Sequence, residues 1–474
     1  MNIQFRHGHM WTRGHLIRWA VASALLVAIA WPGLIVDAQA QAANQAGPVE
    51  SWIDQILSRA GIRRGQAPEP TMKPAPVPSY PGVLRLTLDE AMALFLKQNL
   101  DLIIASYGIN AAKGRQITAR LYPNPTLSVS TLSAYTQGCN LDKCGAVAPS
   151  LTQLFEVAGR RGYRMEAAAL DTMSIEAKFE DAVRQLGFTL KETYFRVQRQ
   201  RGHLAVDQEV QSVLIKLLQG FIGEGKRGGS DLDRVRLGLL AVNADSEVLR
   251  DMQLIEEVSG DLRMMLQIPP DVELEFDTTL AYRTAEPNLA KLLEYALANR
   301  PDIRSKRLTR DKRKTELQLA KAIRIPNVTT NLGYSVQGPQ GPDNQQQWGF
   351  GLSVPLPVFN RNQGGIVEAE VAVSSIDAEI EKTEIQIQNE VAVAYRKFLH
   401  GRKLVEAMNG ALVQASTLFS AAQQAFVKKE LGILDLENTR RSYADTEVSH
   451  LDAIFGYHQN WLRLEWAAGH DITF

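Results

Sequence analysis

From Ile366 onward the apolar positions step by three and four: Ile366, Ala369, Val373, Ile376, Ile380, Thr383, Ile387, Val391, Ala394 and Phe398. That spacing is the seam of a coiled-coil helix. Val371, Ala378, Ile385, Ala392 and Leu399 form a second stripe. A helix with two apolar stripes has neighbours on two sides, like a stave in a wall. The same pattern occurs earlier in the chain. Ile175, Phe179, Leu186, Leu190, Tyr194 and Val197 each stand 201 positions before Ile376, Ile380, Ile387, Val391, Tyr395 and Phe398. Upstream, ARLYPNPTLSVS (119–130) echoes AIRIPNVTTNLGYS (322–335), and NLDLIIA (99–105) echoes RPDIRSK (300–306). Self-similarity at one offset predicts an internal tandem repeat.

Other stretches alternate with period two. Thr126–Ser130, Gln153–Val157, Asn331–Val336 and Trp348–Val354 each switch between polar and apolar residues, as strands with two different faces do. They form two pairs, each joined by a polar loop, QGCNLDKCGA (137–146) and GPQGPDNQQ (338–346). Proline divides the two kinds of structure. Pro123, Pro125 and Pro149 bracket the first pair, and Pro326, Pro339, Pro342, Pro355 and Pro357 the second. No proline occurs between Pro149 and Pro269, or after Pro357. Because proline disrupts helix interiors, these gaps predict two long helical arms. Each arm has one glycine-bearing turn, in GEGKRGGSDLDRVR (223–236) and KKELGILDLENTRR (428–441). An unbroken helix from Gly159 to Gly223 spans about 100 Å, more than a compact domain needs. Four short two-faced strands fit a membrane barrel, but closing one takes about eight strands, so copies of the chain must pool theirs. A soluble hairpin packed on helices is the alternative.

Composition narrows the function. The 52 basic and 52 acidic side chains balance, which argues against nucleic acid as a partner. The start of the chain reads as an export signal: Arg6, Arg13 and Arg18, then the mostly apolar Trp19–Ile35, then Ala38-Gln39-Ala40 as a cleavage site. An N-terminal anchor is the competing reading. Seven prolines crowd 48–81, as in an extended linker. The two cysteines, Cys139 and Cys144, share one loop. In an exported chain a disulfide is expected there, and a metal pair is the alternative.

No catalytic motif is present: no nucleophile elbow, phosphate loop or zinc signature, so neither an enzyme nor a cofactor is expected. Beyond Ala40 the histidines are His203, His400, His450, His458 and His470. None has the spacing of a metalloprotease site, and each is read as a polar wall or surface residue.

The tandem repeat, RLYPNP, the turn FEVAGRRG, its partner LPVFNRNQGG and the turn LGILDLENTRR together resemble the TolC family of outer-membrane efflux ducts. The P-x-F-N-R-N-Q-G turn is similar to the CzcC-like branch, which serves heavy-metal pumps of the RND type. The likeness covers roughly 84–470. It implies a mainly α fold with a small β part: long antiparallel coiled-coil helices as a periplasmic tunnel, and four strands per chain in a homotrimeric twelve-stranded barrel. It also implies a passive duct in the outer membrane of a Gram-negative bacterium, with outer-membrane lipid around the barrel. A periplasmic adaptor and an inner-membrane pump would be its partners, and divalent heavy metals its cargo. Organic compounds, secreted polypeptide, or a non-transporting scaffold role remain alternatives. The chain has no cysteine near the cleavage site for a lipid anchor, and 41–83 matches no motif of the family.

The expected organisation is a signal peptide over 1–40, an N-terminal segment and linker over 41–83, and a first repeat over 84–270. An equatorial segment over 271–287 and a second repeat over 288–474 follow. Strands are expected at about 125–137, 147–157, 326–338 and 346–358, and tip turns at 223–233 and 428–437. Gly159, Arg160, Arg161, Asn360, Arg361, Asn362 and Gly364 are expected where strand becomes helix. Gly225, Gly228, Gly229 and Gly432 are assigned to the tip turns. Asp231, Asp233, Arg234, Arg236, Asp435, Glu437, Arg440 and Arg441 are the candidate gate, as exposed acid–arginine pairs closing the tip. The acids equally suit helix caps.

Overall fold

The structure is a computed structural model, and it describes residues 82–133, 145–223, 231–276, 286–337, 346–428 and 430–470. The element order runs twice through one sequence. The first pass is β1 (Val83–Leu86), α1 (Leu88–Gln98), α2 (Leu100–Arg120), β2 (Thr126–Ser133), β3 (Gly145–Phe155), α3 (Arg160–Gly223) and α4 (Asp231–Leu266). After β4 (Glu273–Phe276) come α5 (Leu289–Asn299), α6 (Pro301–Ala322), β5 (Val328–Gln337), β6 (Gln346–Ser353), α7 (Gln363–Val427) and α8 (Ile433–Ala468). α3 and α7 have 64 and 65 residues, and α4 and α8 have 36 each.

The helix starts follow from local chemistry. Thr87 and Glu90 form a capping box at α1, each side chain satisfying the other's backbone N–H. Asn99 caps α2, and its Nδ2 also donates to the Met265 carbonyl at the end of α4 (3.0 Å). Arg300, 201 positions later, begins α6 and donates to the Ala467 carbonyl at the end of α8 (2.9 Å). The two passes thus make the same tie with different side chains.

Three cores hold the helices. The first joins α1–α4 with β1 and β4 around Phe95, Leu190, Tyr194, Val197 and Leu262. The second joins α5–α8 around Ile387, Val391, Phe398, Tyr457 and Trp461. The third lies toward the turns between the long helices, where Leu214, Leu237, Ala422, Ile433 and Leu436 bring α3, α4, α7 and α8 together. The seam read from sequence is buried in α7 from Ile376 to Phe398. Burying each such large side chain contributes about 1.5–3 kcal/mol. The second stripe is only partly covered: Val371 and Ile385 are 62% and 53% exposed in the single chain.

The small parallel sheet of β1 and β4 was not expected from sequence. VLRL and ELEF alternate, but four residues each are too few to stand out. Among the described residues no helix is long and apolar enough to cross a membrane.

Candidate functional site: a two-faced sheet and a helical tip

The larger sheet runs β2-β3-β5-β6, antiparallel throughout. Its register places like with like. Leu127, Leu151, Leu332 and Phe350 lie opposite one another across all four strands. Thr126, Thr152, Asn331 and Gly351 form the next row, on the other face. The apolar row is exposed, from 44% at Leu151 to 75% at Phe350, and Val129, Trp348 and Leu352 extend it. The polar face makes its own bonds, Ser128 Oγ to Ser150 Oγ at 2.8 Å and Asn331 Nδ2 to Thr152 Oγ1 at 2.9 Å. Water is the wrong solvent for one face and lipid for the other. Among the described residues β2 and β6 each have one unpaired edge.

The strand-to-helix turns differ between the repeats. In the first, Ala158 and Gly159 are left-handed (φ 58° and 71°). Arg160 then donates to the carbonyls of Ala322, Ile323 and Ile325, at the end of α6. Arg161 reaches the Arg120 carbonyl at the end of α2 (2.8 Å) and lies over the Tyr122 ring. Arg164, which sequence reasoning did not single out, adds the Ala119 and Leu121 carbonyls and pairs with Glu156. Three cations thus sit on the negative ends of two helices. In the second turn the left-handed residue is Asn362 (φ 58°), whose Nδ2 donates to the Ala320 carbonyl (2.8 Å). Arg361 only folds back on Pro357 (3.2 Å), and Asn360 Oδ1 accepts from the Asn362 N–H (2.9 Å). Gly364 faces open space, whereas a Cβ at Gly365 would stand 2.6 Å from Asn362 Oδ1.

At the tip, Gly432 is the residue before α8, and Asp435 lies exposed in its first turn. Gly432, the N-cap residue, has no side chain with which to cap α8, and Asp435 is the acidic residue of its first turn. Glu437 and Arg440 depart from expectation. They are buried (4% and 6%) and bond each other twice within one helix turn, with Arg440 Nε 2.8 Å from Glu437 Oε2. The pair was expected to be exposed between staves. It is instead drawn into the tip core, because it shares the inward side of α8 with Ile433 and Leu436. Arg441 is exposed, as are Arg234 and Arg236 on α4. Gly225, Gly228, Gly229, Cys139, Cys144 and the side chains of Asp231 and Asp233 lie outside the described residues.

Among the described residues no group of three or more His, Cys, Asp or Glu is placed to hold a metal ion. His203 pairs with Asp452 (2.7 Å) and His450 with Asn409 (2.6 Å). His458 stacks on Phe195, His470 meets the edge of Tyr295, and His400 is exposed.

Sequence reasoning also missed the hub at the end of α8. Arg300, almost wholly buried, bonds Asp302 (2.7 Å) and Glu390 (2.8 Å), while Arg184 on α3 reaches the Trp466 carbonyl (2.6 Å). Burial disfavours the charge on Asp302, but its bonds to Arg300 outweigh this and hold the carboxyl below its ordinary range.

A two-faced sheet on long paired helices is a fold that this chain shares with solved outer-membrane channels. Residues 292–470 match the family described as "Outer membrane efflux protein". The chain is 21% identical over 388 residues to the cobalt-zinc-cadmium resistance protein CzcC of Cupriavidus metallidurans, covering 78% of this chain and 86% of that protein. Its fold matches the outer-membrane channel OprN with a TM-score of 0.68, at 17% identity, over 81% of this chain and 89% of that one. It matches the outer membrane protein VceC of Vibrio cholerae with a TM-score of 0.67, at 17% identity, over 81% and 96%. The resemblance to TolC-type outer-membrane efflux proteins read from the sequence is therefore shown.

Proposed function

We propose that the chain is the outer-membrane duct of a tripartite RND-type efflux system. The observation that carries this reading is the sheet: among the described residues it has four strands with an exposed apolar row, a hydrogen-bonded polar face and two open edges. In lipid every backbone group needs a partner, so such a sheet must join others into a closed barrel. Three copies contribute twelve strands. The polar face then lines the channel, and the long helices continue it into the periplasm toward an adaptor and pump. The exposed stripe of α7 at Val371 and Ile385 suits a neighbouring copy.

The same reading takes 1–40 as a signal peptide cut near Ala40, Cys139–Cys144 as an outer-loop disulfide, and the repeats as a tandem duplication joined at 271–287. The likeness to CzcC favours divalent heavy-metal cations as cargo, which pass hydrated and need no fixed ligands in the wall. Loss of the gene should then raise sensitivity to cobalt, zinc or cadmium more than to organic toxicants. The reverse pattern would remove the metal assignment and leave the duct.

The gate is assigned to the turns at 223–233 and 428–437. Asp435 and Arg441 are exposed charged groups at the start of α8, and threefold symmetry makes each a ring. In planar bilayers the purified protein should give discrete conductance steps, and Asp435→Ala should enlarge them. Steps of parental size with the assembly intact would place the gate elsewhere.

A further inference from the structure

Two carboxylates of α3, two residues apart along it, act on carboxylates of both neighbouring helices. Asp207 meets Asp251 of α4, and Glu209 acts on Glu447 of α8. Asp251 is buried (8%), and Gln200 Nε2 occupies its Oδ1 at 2.7 Å. Its Oδ2 is shut off from solvent and has no donor among the described residues. What Asp207 offers it is another carboxylate, and two carboxylates can hydrogen-bond only if one carries a proton. A buried acceptor without a donor is unfavourable, and so are like charges in contact.

The surrounding groups do not neutralise the pair. Glu247 of α4 adds negative charge, and it is held by Arg250 at 2.6 Å. His203, one turn before Asp207 on α3, opposes that charge. It is itself held by Asp452 of α8 at 2.7 Å, which also takes Arg199 at 2.6 Å.

We propose that Asp207 and Asp251 form a proton-binding latch: one proton taken from solvent bridges the two carboxylates and ties α3 to α4, and its loss leaves like charges across that seam. Burial, then the charge of Asp251, push Asp207 up to about 6 from 3.8. Burial and Glu209 push Glu447 up as well, so the α3–α8 seam responds in the same direction. A carboxyl raised in the folded chain binds its proton more tightly there than when unfolded. Stability is therefore gained as pH falls through about 6 toward the unfolded value, and lost as pH rises through about 6. The latch goes beyond the duct reading and does not rest on it.

Thermal unfolding of the purified full chain in detergent tests it. Between about pH 7 and about pH 5 the parental midpoint should rise by about one to two degrees, as a roughly tenfold gain in the folding equilibrium gives for a chain of this length. Asp207→Asn should already have the raised midpoint at neutral pH and lose most of the rise, because its amide supplies the missing donor. Asp251→Asn is the second variant: its amide still accepts from Gln200 and donates to Asp207, so it should behave alike. In infrared titration the parent should show a protonated-carboxyl band with a midpoint near 6 that both variants lack. The latch is overturned if both variants keep the parental pH slope, or if the band is the same in parent and variants.

Discussion

The buried Glu437–Arg440 pair shows how one residue's setting changes its expected role. As an exposed pair at a gate it would contribute only about 0–1 kcal/mol. Buried, it makes both charges costly to leave alone. Arg440 already has one nitrogen, Nη1, without a hydrogen-bond acceptor among the described residues. Glu437→Gln should therefore lower the unfolding free energy by about 3–5 kcal/mol. Replacing both residues by leucine should restore most of that loss, since the core around Ile433 and Leu436 accepts apolar side chains. Chemical denaturation of the two variants checks this; equal stability of Glu437→Gln and parent would show the pair to be solvated.

At the scale of elements, the sheet depends on which row faces which solvent. Leu151 lies on the inner strand β3, between Leu127 and Leu332 of the exposed apolar row. Leu151→Arg should destabilise the protein in bilayers by about 2–4 kcal/mol, as a cation does in the hydrocarbon layer. Thr152→Arg, one position on and on the polar face, should cost far less. Equal losses from both, measured by folding into lipid vesicles, would mean the two faces do not see different solvents.

Elements were legible where a period is long. The α7 seam from Ile376 to Phe398 is a buried line because one repeating spacing fixes one helical face. The proline map separates strands from helices for the same local reason. β1 and β4 were not legible, since their pairing joins Val83 to Glu273 across most of a repeat. Nor was the burial of Glu437 and Arg440, or the work of Arg160 and Arg164 on helix ends of other segments. Each depends on which elements meet, and a charged residue reads the same in a string whether it ends up wet or buried. The Asp207–Asp251 contact went unseen for that reason too.

On the scale of the whole molecule, the single chain is unfinished. Among the described residues one sheet face is apolar and exposed, two strand edges are open, and the stripe through Val371 and Ile385 is only partly covered. In the proposed trimer a closed barrel answers the first two, and neighbouring helices of further copies answer the third. The central claim is thus that the working unit is three chains sharing one barrel. Native mass measurement of the protein extracted from outer membranes in mild detergent tests it most directly. The account predicts a single species of three processed chains that falls to one chain only on heating or harsh denaturation. A folded, stable monomer in the same mild detergent would contradict it, because four strands with two open edges cannot stand alone in a membrane.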